Sequence, residues 1–176
     1  MTPLDRALRL AGISAFAVMA LSAAPMAQGG GRGRGGMGGM MGDESHMADM
    51  ELIHTLLDNG SKVRRTVTMR PDGVETVTES DDPALVDTIR AQVAAMYGRV
   101  KEQKPIHMRD PLFRAVFENA SKIVMGHAVT DKGVRVTETS TDPYVVKLIQ
   151  AHARVVDAFV KNGRSEAMKN HDLPPK

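Results

Sequence analysis

The chain contains no cysteine and no tryptophan. Without cysteine there can be no disulfides, thiolate metal sites, cysteine-held iron–sulfur clusters or covalent c-type haem attachment. Aromatic residues are scarce, with two tyrosines and four phenylalanines, so platforms for stacking nucleic-acid bases are missing. Neither sign of charge dominates: 23 Lys and Arg against 21 Asp and Glu leave a net charge of +2, interspersed along the chain. A dedicated nucleic-acid binder would carry a basic patch instead. Nucleophile-elbow, phosphate-loop, His-Glu-x-x-His and calcium-loop patterns are absent from the sequence. Glu75, Glu79 and Glu138 stand near predicted strand ends with no visible partner to tune a general acid. The sequence therefore favours a non-enzymatic reading.

A membrane-length apolar run is missing as well. The longest, residues 10–24, is too short to span a bilayer comfortably. It follows Arg6 and Arg9 and runs into Ser22-Ala23-Ala24-Pro25-Met26-Ala27, the layout of a secretory signal cleaved after Ala27. Residues 1–27 thus predict export to a periplasm or the outside, with no membrane span left after cleavage. Residues 28–48 are expected to form a flexible Gly- and Met-rich arm, since backbone entropy opposes order in such a glycine run.

What the chain has in quantity is methionine, 13 residues, beside six histidines. Met37, Met40, Met41, His46, Met47 and Met50 cluster near the arm, and His107-Met108 echoes His46-Met47 before a later helix. Thioethers beside imidazoles suit soft cations, Cu(I) above all. These eight residues are the candidate metal ligands.

The body of the chain reads as a unit written twice. Residues 59–103 align with 119–163 at a constant offset, matching Asn59 with Asn119, Lys62 with Lys122, Gly73 with Gly133, Ser80 with Ser140, Asp82-Pro83 with Asp142-Pro143, and Ile89 with Ile149. Each copy predicts helix, strand, hairpin turn, strand, helix. Asp49 is expected to cap a first helix striped by Met50, Ile53, Leu56 and Leu57. Pro71-Asp72-Gly73 and Asp131-Lys132-Gly133 mark the hairpins, Gly73 supplying a positive φ. Asp82, Asp110 and Asp142, each followed by proline, read as N-caps. The predicted fold is α+β: an internally duplicated αββα unit whose four strands form one antiparallel sheet with packed helices. The first repeat is assigned to residues 49–105 and the second to 106–163. Residues 164–176 are expected to be a polar, mobile tail with nothing to fix His171.

One core grouping is a candidate cofactor site. His152 falls on the apolar stripe of the last helix, and Met125 and His127 share a strand face with Ile123 and Val129. Should that helix pack on that face, Met125, His127 and His152 would converge as ligands for copper or non-covalent haem. The aligned positions of the first copy hold Arg65, Val67 and Gln92. The pattern Asp110-Pro111-Leu112-Phe113, Gly133-Val134, Glu138-Thr139-Ser140-Thr141-Asp142-Pro143-Tyr144 and Gln150-Ala151-His152-Ala153 resembles a family of small exported bacterial proteins with this doubled layout. The resemblance covers about residues 49–163 and implies a histidine where the first copy has Gln92. The expected function is a periplasmic binding protein for copper or haem. The alternatives are a cofactor-free module that recognises an envelope protein partner, and a small redox protein or electron carrier using the same copper or haem.

Overall fold

The computed structural model describes residues 44–176. The elements, in chain order, are α1 (Glu44–Asp58), β1 (Val63–Arg70), β2 (Gly73–Ser80), α2 (Pro83–Glu102), α3 (Pro111–Glu118), β3 (Val124–Thr130), β4 (Gly133–Thr139), α4 (Pro143–Asn162) and a short α5 (Arg164–Ala167). The four strands make one antiparallel sheet in the order β1-β2-β4-β3, as the α+β reading expects.

Short-range chemistry explains the element ends. The side chains of Asp82, Asp110 and Asp142 each accept a hydrogen bond from the backbone N–H two residues on, and a proline follows each as the first helical residue. Asn59 and Asn119, at the ends of α1 and α3, donate through their side-chain amides to the carbonyls of Thr55 and Ala115, both at 2.9 Å. Ser80, fully buried, donates to the Lys62 carbonyl at 2.8 Å and accepts from the Asp82 N–H at 3.1 Å, tying the start of β1 to the start of α2.

The seam between the two hairpins is where glycine is required. A Cβ at Gly73 would lie 1.9 Å from the Glu138 carbonyl oxygen, and one at Gly133 equally close to that of Thr78. Gly73 takes the expected positive φ, 157°, and the close approach of β4 is a second reason for glycine there. The turn itself is Pro71-Asp72, closed by the pairing of Arg70 with Gly73.

The same seam decides how the long helices lie. The Ser80 N–H bonds the Lys132 carbonyl and the Ser140 N–H bonds that of Asp72, both at 2.9 Å. Each chain segment thus leaves its strand beside the hairpin turn of the other half. α2 is laid over β4 and β2 with its edge on β3, and α4 over β1 and β2. Arg90 of α2 donates to the Thr130 carbonyl at the β3–β4 turn, 2.7 Å. Gln150 of α4 donates to the Arg70 carbonyl at the β1–β2 turn, 2.9 Å. The helices cross: each covers strands of the opposite half.

The core forms under them. Leu85, Ile89 and Val93 of α2 pack with Val63, Val134 and Val136, with Met125 at the margin. Val145, Ile149 and Ala153 of α4 pack with Val74, against Val67 and Ile123. Leu112, Ala115 and Val116 of α3 close on Leu148. Full burial of one such side chain contributes about 1.5–3 kcal/mol. The opposite sheet face is solvated, with Arg64, Thr66, Thr68, Arg70 and Arg135 exposed.

Two expectations change at the ends of the described chain. α1 starts at Glu44, not at Asp49, so His46 and Met47 belong to a helix and not to an arm. Asp49 is buried inside α1, where its carboxylate meets the Arg99 guanidinium of α2. Such a pair is satisfied only with the helix already formed around it. The tail makes specific contacts. His171 Nδ1 lies 2.6 Å from the fully buried Asp110 carboxylate and Nε2 lies 3.4 Å from Glu166. Lys147 donates to the Pro175 carbonyl at 3.1 Å. Among the described residues, no helix is long and apolar enough to cross a membrane. Met37, Met40 and Met41 lie outside the described residues.

Candidate functional site

α1 presents one stripe of metal-type side chains. His46, Met50, His54 and Asp58 follow at intervals of four residues, which stacks them turn upon turn on one helix face. Together with Met47, Glu51, Thr55 and Arg164 they line an open groove of about 470 Å³. His46, Met50 and His54 are half-buried, and Met47 is 62% exposed. Arg164 closes one end with a two-pronged contact to Asp58, at 2.5 and 2.6 Å. That hydrogen bond, with the charges of Arg164 and His54, holds the Asp58 carboxyl below its ordinary range against the opposing effect of burial. The groove therefore offers two imidazoles with a thioether between them, and a carboxylate whose charge is already taken by arginine. Among the described residues no three His, Asp or Glu side chains gather as a metal-holding group.

His46, Met47 and Met50 are thus brought to one groove. His54 belongs with them and was missed. Its signal is the spacing of four from Met50, overshadowed in the sequence by the apolar stripe Met50, Ile53, Leu56 and Leu57 of the same helix. Met108 is half-buried, with its backbone carbonyl occupied by Arg114 at 2.9 Å.

The three core candidates have different ring and apolar neighbours. The crossing of the helices puts α2 over β3, so the His127 ring meets Tyr97 edge-on at 5.0 Å and Met125 packs beside Leu85, Ile89 and Val93. The His152 ring instead meets Phe113 of α3 edge-on at 4.9 Å. Phe113 also receives His107 edge-on at 4.8 Å and stacks with Phe159 at 5.6 Å. His107 sits at φ 58, a left-handed conformation uncommon for a residue with a side chain. Nε2 of His107 and Nδ1 of His152 are buried without a hydrogen-bond partner. Burial lowers the His107 pKa, opposed by the Asp110 charge. Burial, then the charge of Arg65, pushes His152 down to about 4, again opposed by Asp110. Both rings are uncharged near neutral pH.

Beneath α4 two further side chains stand out. Arg65, on the helix-facing side of β1, gives Nη1 to the Thr78 hydroxyl at 2.7 Å, while its Nε is buried without a partner. Glu138, on the same sheet face of β4, is pushed up to about 7 by burial, against the pull of Arg65. Sequence reading gave Glu138 no partner; the structure gives it Arg65 within electrostatic reach.

No family model, curated protein or solved structure matches the chain.

Proposed function

We propose that the protein is a non-enzymatic binding protein of the cell envelope that holds a soft metal ion, Cu(I), on the outer face of α1. The observation that supports this reading is the stripe of His46, Met50 and His54, open along one groove. Imidazole and thioether are the side chains, in a protein without cysteine, that favour Cu(I) over hard cations. Met50 is within one helical turn of either histidine, so it can act with His46 or with His54. The envelope placement rests on the basic start and apolar run of residues 1–27. Holding the ion through uncharged donors on a solvent-facing groove suits capture and release more than catalysis.

The test is a Cu(I) titration against a chromophoric competitor under reducing conditions, repeated with Ag(I) as a redox-silent stand-in. We expect one ion per chain and at least about tenfold weaker binding in Met50→Leu and in His54→Ala. Undiminished binding by a His46→Ala, Met50→Leu, His54→Ala triple variant would sink the reading. An absorbance scan of the protein from its native host covers haem, the other cofactor to which the sequence points. A haem ligated by His152 or His107 would give a Soret band that the α1 triple variant keeps.

A further inference from the structure

Among the described residues the sheet has two edges, β1 and β3, each paired along one side only. On an edge strand, alternate residues direct their backbone N–H and C=O groups away from the sheet, and charged side chains are the usual guard against another chain pairing there. β1 has that guard in Arg64, Arg65 and Arg70. β3, Val-Met-Gly-His-Ala-Val-Thr, contains no Lys, Arg, Asp or Glu. At the aligned positions the three arginines give way to Val124, Met125 and Thr130. The two edges thus differ in the residues that decide whether a further strand can add to them.

Apolar surface is concentrated on the unguarded edge. Val124 is 70% exposed and Val129 64%, and the two lie on opposite faces of β3. Val129 shares the helix-facing side with Met125 and His127. α2 reaches that side through Tyr97, whose ring meets His127 edge-on at 5.0 Å, and leaves Val129 open to water. The edge is also regular. All seven residues of β3 pair with β4 in unbroken register, and the Thr130 hydroxyl donates to the Glu79 carboxylate at 2.9 Å, fixing the end of the strand. A straight, uncharged edge with exposed valines on both faces is a ready template for strand addition.

We infer that β3 is a dimerisation edge: two copies of the chain pair β3 with β3, antiparallel, and join their four-stranded sheets into one. A two-fold axis sets residues of the same face opposite one another, so helix-facing side chains meet helix-facing ones. Full overlap of the seven residues puts that axis at His127. Met125 then lies opposite the second copy's Val129 and covers the valine that α2 leaves open, while Val124 lies opposite Thr130. Beyond the strand ends, the exposed Asp131 comes one residue along from the second copy's Lys122. Lys132, beside it, is already engaged by Asp81 at 2.7 Å. The corresponding axis on β1 passes through Val67 and would set Arg64 opposite Arg70, a pairing of like charges that is unfavourable. Charge therefore selects the β3 edge, and a dimer that uses up β3 is closed, with no edge left to grow a filament. The dimer uses no residue of the α1 groove, so either can fail without the other.

The experiment is sedimentation velocity of the protein purified from its native host, over a series of concentrations, with circular dichroism to check the fold of each variant. We expect a monomer–dimer equilibrium with a Kd of about 1–100 μM, the range of an interface of modest area, and no larger species. The double variant Val124→Arg, Val129→Lys changes two exposed side chains and should weaken the dimer at least about tenfold. Thr68→Lys on β1 should leave it unchanged. The register is read by cross-linking. In a chain without cysteine, His127→Cys carries a single thiol, which the axis sets opposite its own copy at a Cα separation of about 4.5–5.5 Å, within disulfide range. Mild oxidation should link His127→Cys into a dimer and leave Thr66→Cys on β1 monomeric. A monomer throughout the series, with β3 taken instead by residues before Glu44 or by another protein, would overturn the assignment. So would a dimer indifferent to the Val124 and Val129 charges, or equal cross-linking at positions 127 and 66.

Discussion

Replacing Glu138 with glutamine should stabilise the protein at alkaline pH and leave it almost unchanged in acid. The glutamine keeps the size of the neutral carboxyl and cannot ionise. In the folded protein the Glu138 pKa is raised from 4.5 to about 7, burial outweighing the attraction of Arg65. A carboxyl raised on folding adds nothing adverse below its unfolded pKa, where both states are protonated. As pH climbs from there through about 7, the unfolded state ionises first and the folded state loses stability. At about 1.4 kcal/mol per tenfold, the full shift sets a ceiling of about 3 kcal/mol above pH 7. Because Glu138 keeps some surface open to water, screening trims this, and about 1.5 kcal/mol is the least the reasoning allows. The assay is urea or thermal unfolding of both proteins, followed by circular dichroism, from about pH 4 to 8 in carboxylate-free buffers. Groups common to both proteins titrate alike and cancel in the difference. The stability gap should open steadily from near zero to that range, several degrees in melting temperature for a domain of this size. A gap independent of pH, or one that closes as pH rises, would refute the argument. The second outcome would mean that Glu138 ionises readily and pairs with Arg65.

Two further perturbations probe the contacts of the buried Asp49 and Asp110 carboxylates. Arg99→Met leaves the Asp49 carboxylate, 12% exposed, without its guanidinium, and should cost about 3–5 kcal/mol by urea unfolding. Adding Asp49→Leu to it should recover most of that loss. His171→Ala strips the tail contact from the fully buried Asp110 and should cost about 1–3 kcal/mol at neutral pH. Burial opposes the charge of Asp110, but the bonds from His171 and the Leu112 N–H prevail and hold its pKa below the ordinary value. A carboxyl depressed on folding contributes above its unfolded pKa and loses that contribution as pH falls through the folded value. The gap between native and His171→Ala proteins should therefore shrink below about pH 4 when unfolding is followed on acidification.

The elements themselves were legible because their causes are local. Asp82, Asp110 and Asp142 bind N–H groups two residues away, and the hairpins follow from turns flanked by alternating strands. The placement of the long helices was not legible. It depends on Ser80 bonding Lys132 and Ser140 bonding Asp72, contacts between residues about fifty to seventy positions apart that no periodicity encodes. Without that crossing, the neighbours of His152, Phe113 of α3 among them, could not be read from its apolar stripe. The α1 stripe was half legible: the methionines and His46 announced themselves by composition, but their place on a helix with His54 needed the true helix start at Glu44. Arg65 looked like one more strand residue, and only its buried Nε without a hydrogen-bond partner distinguishes it.

The crossing of α2 and α4 bears on how the molecule can come apart. A hairpin shorn of the other half's helix would expose Val74 or Val134 to water, so neither half can remain folded while the other opens. Unfolding should be a single all-or-none event, and folding must wait for contacts between distant parts of the chain, which slows it relative to a bundle of local helices. A nick in the connection between α2 and α3 need not release the halves, because each is held by what it covers in the other.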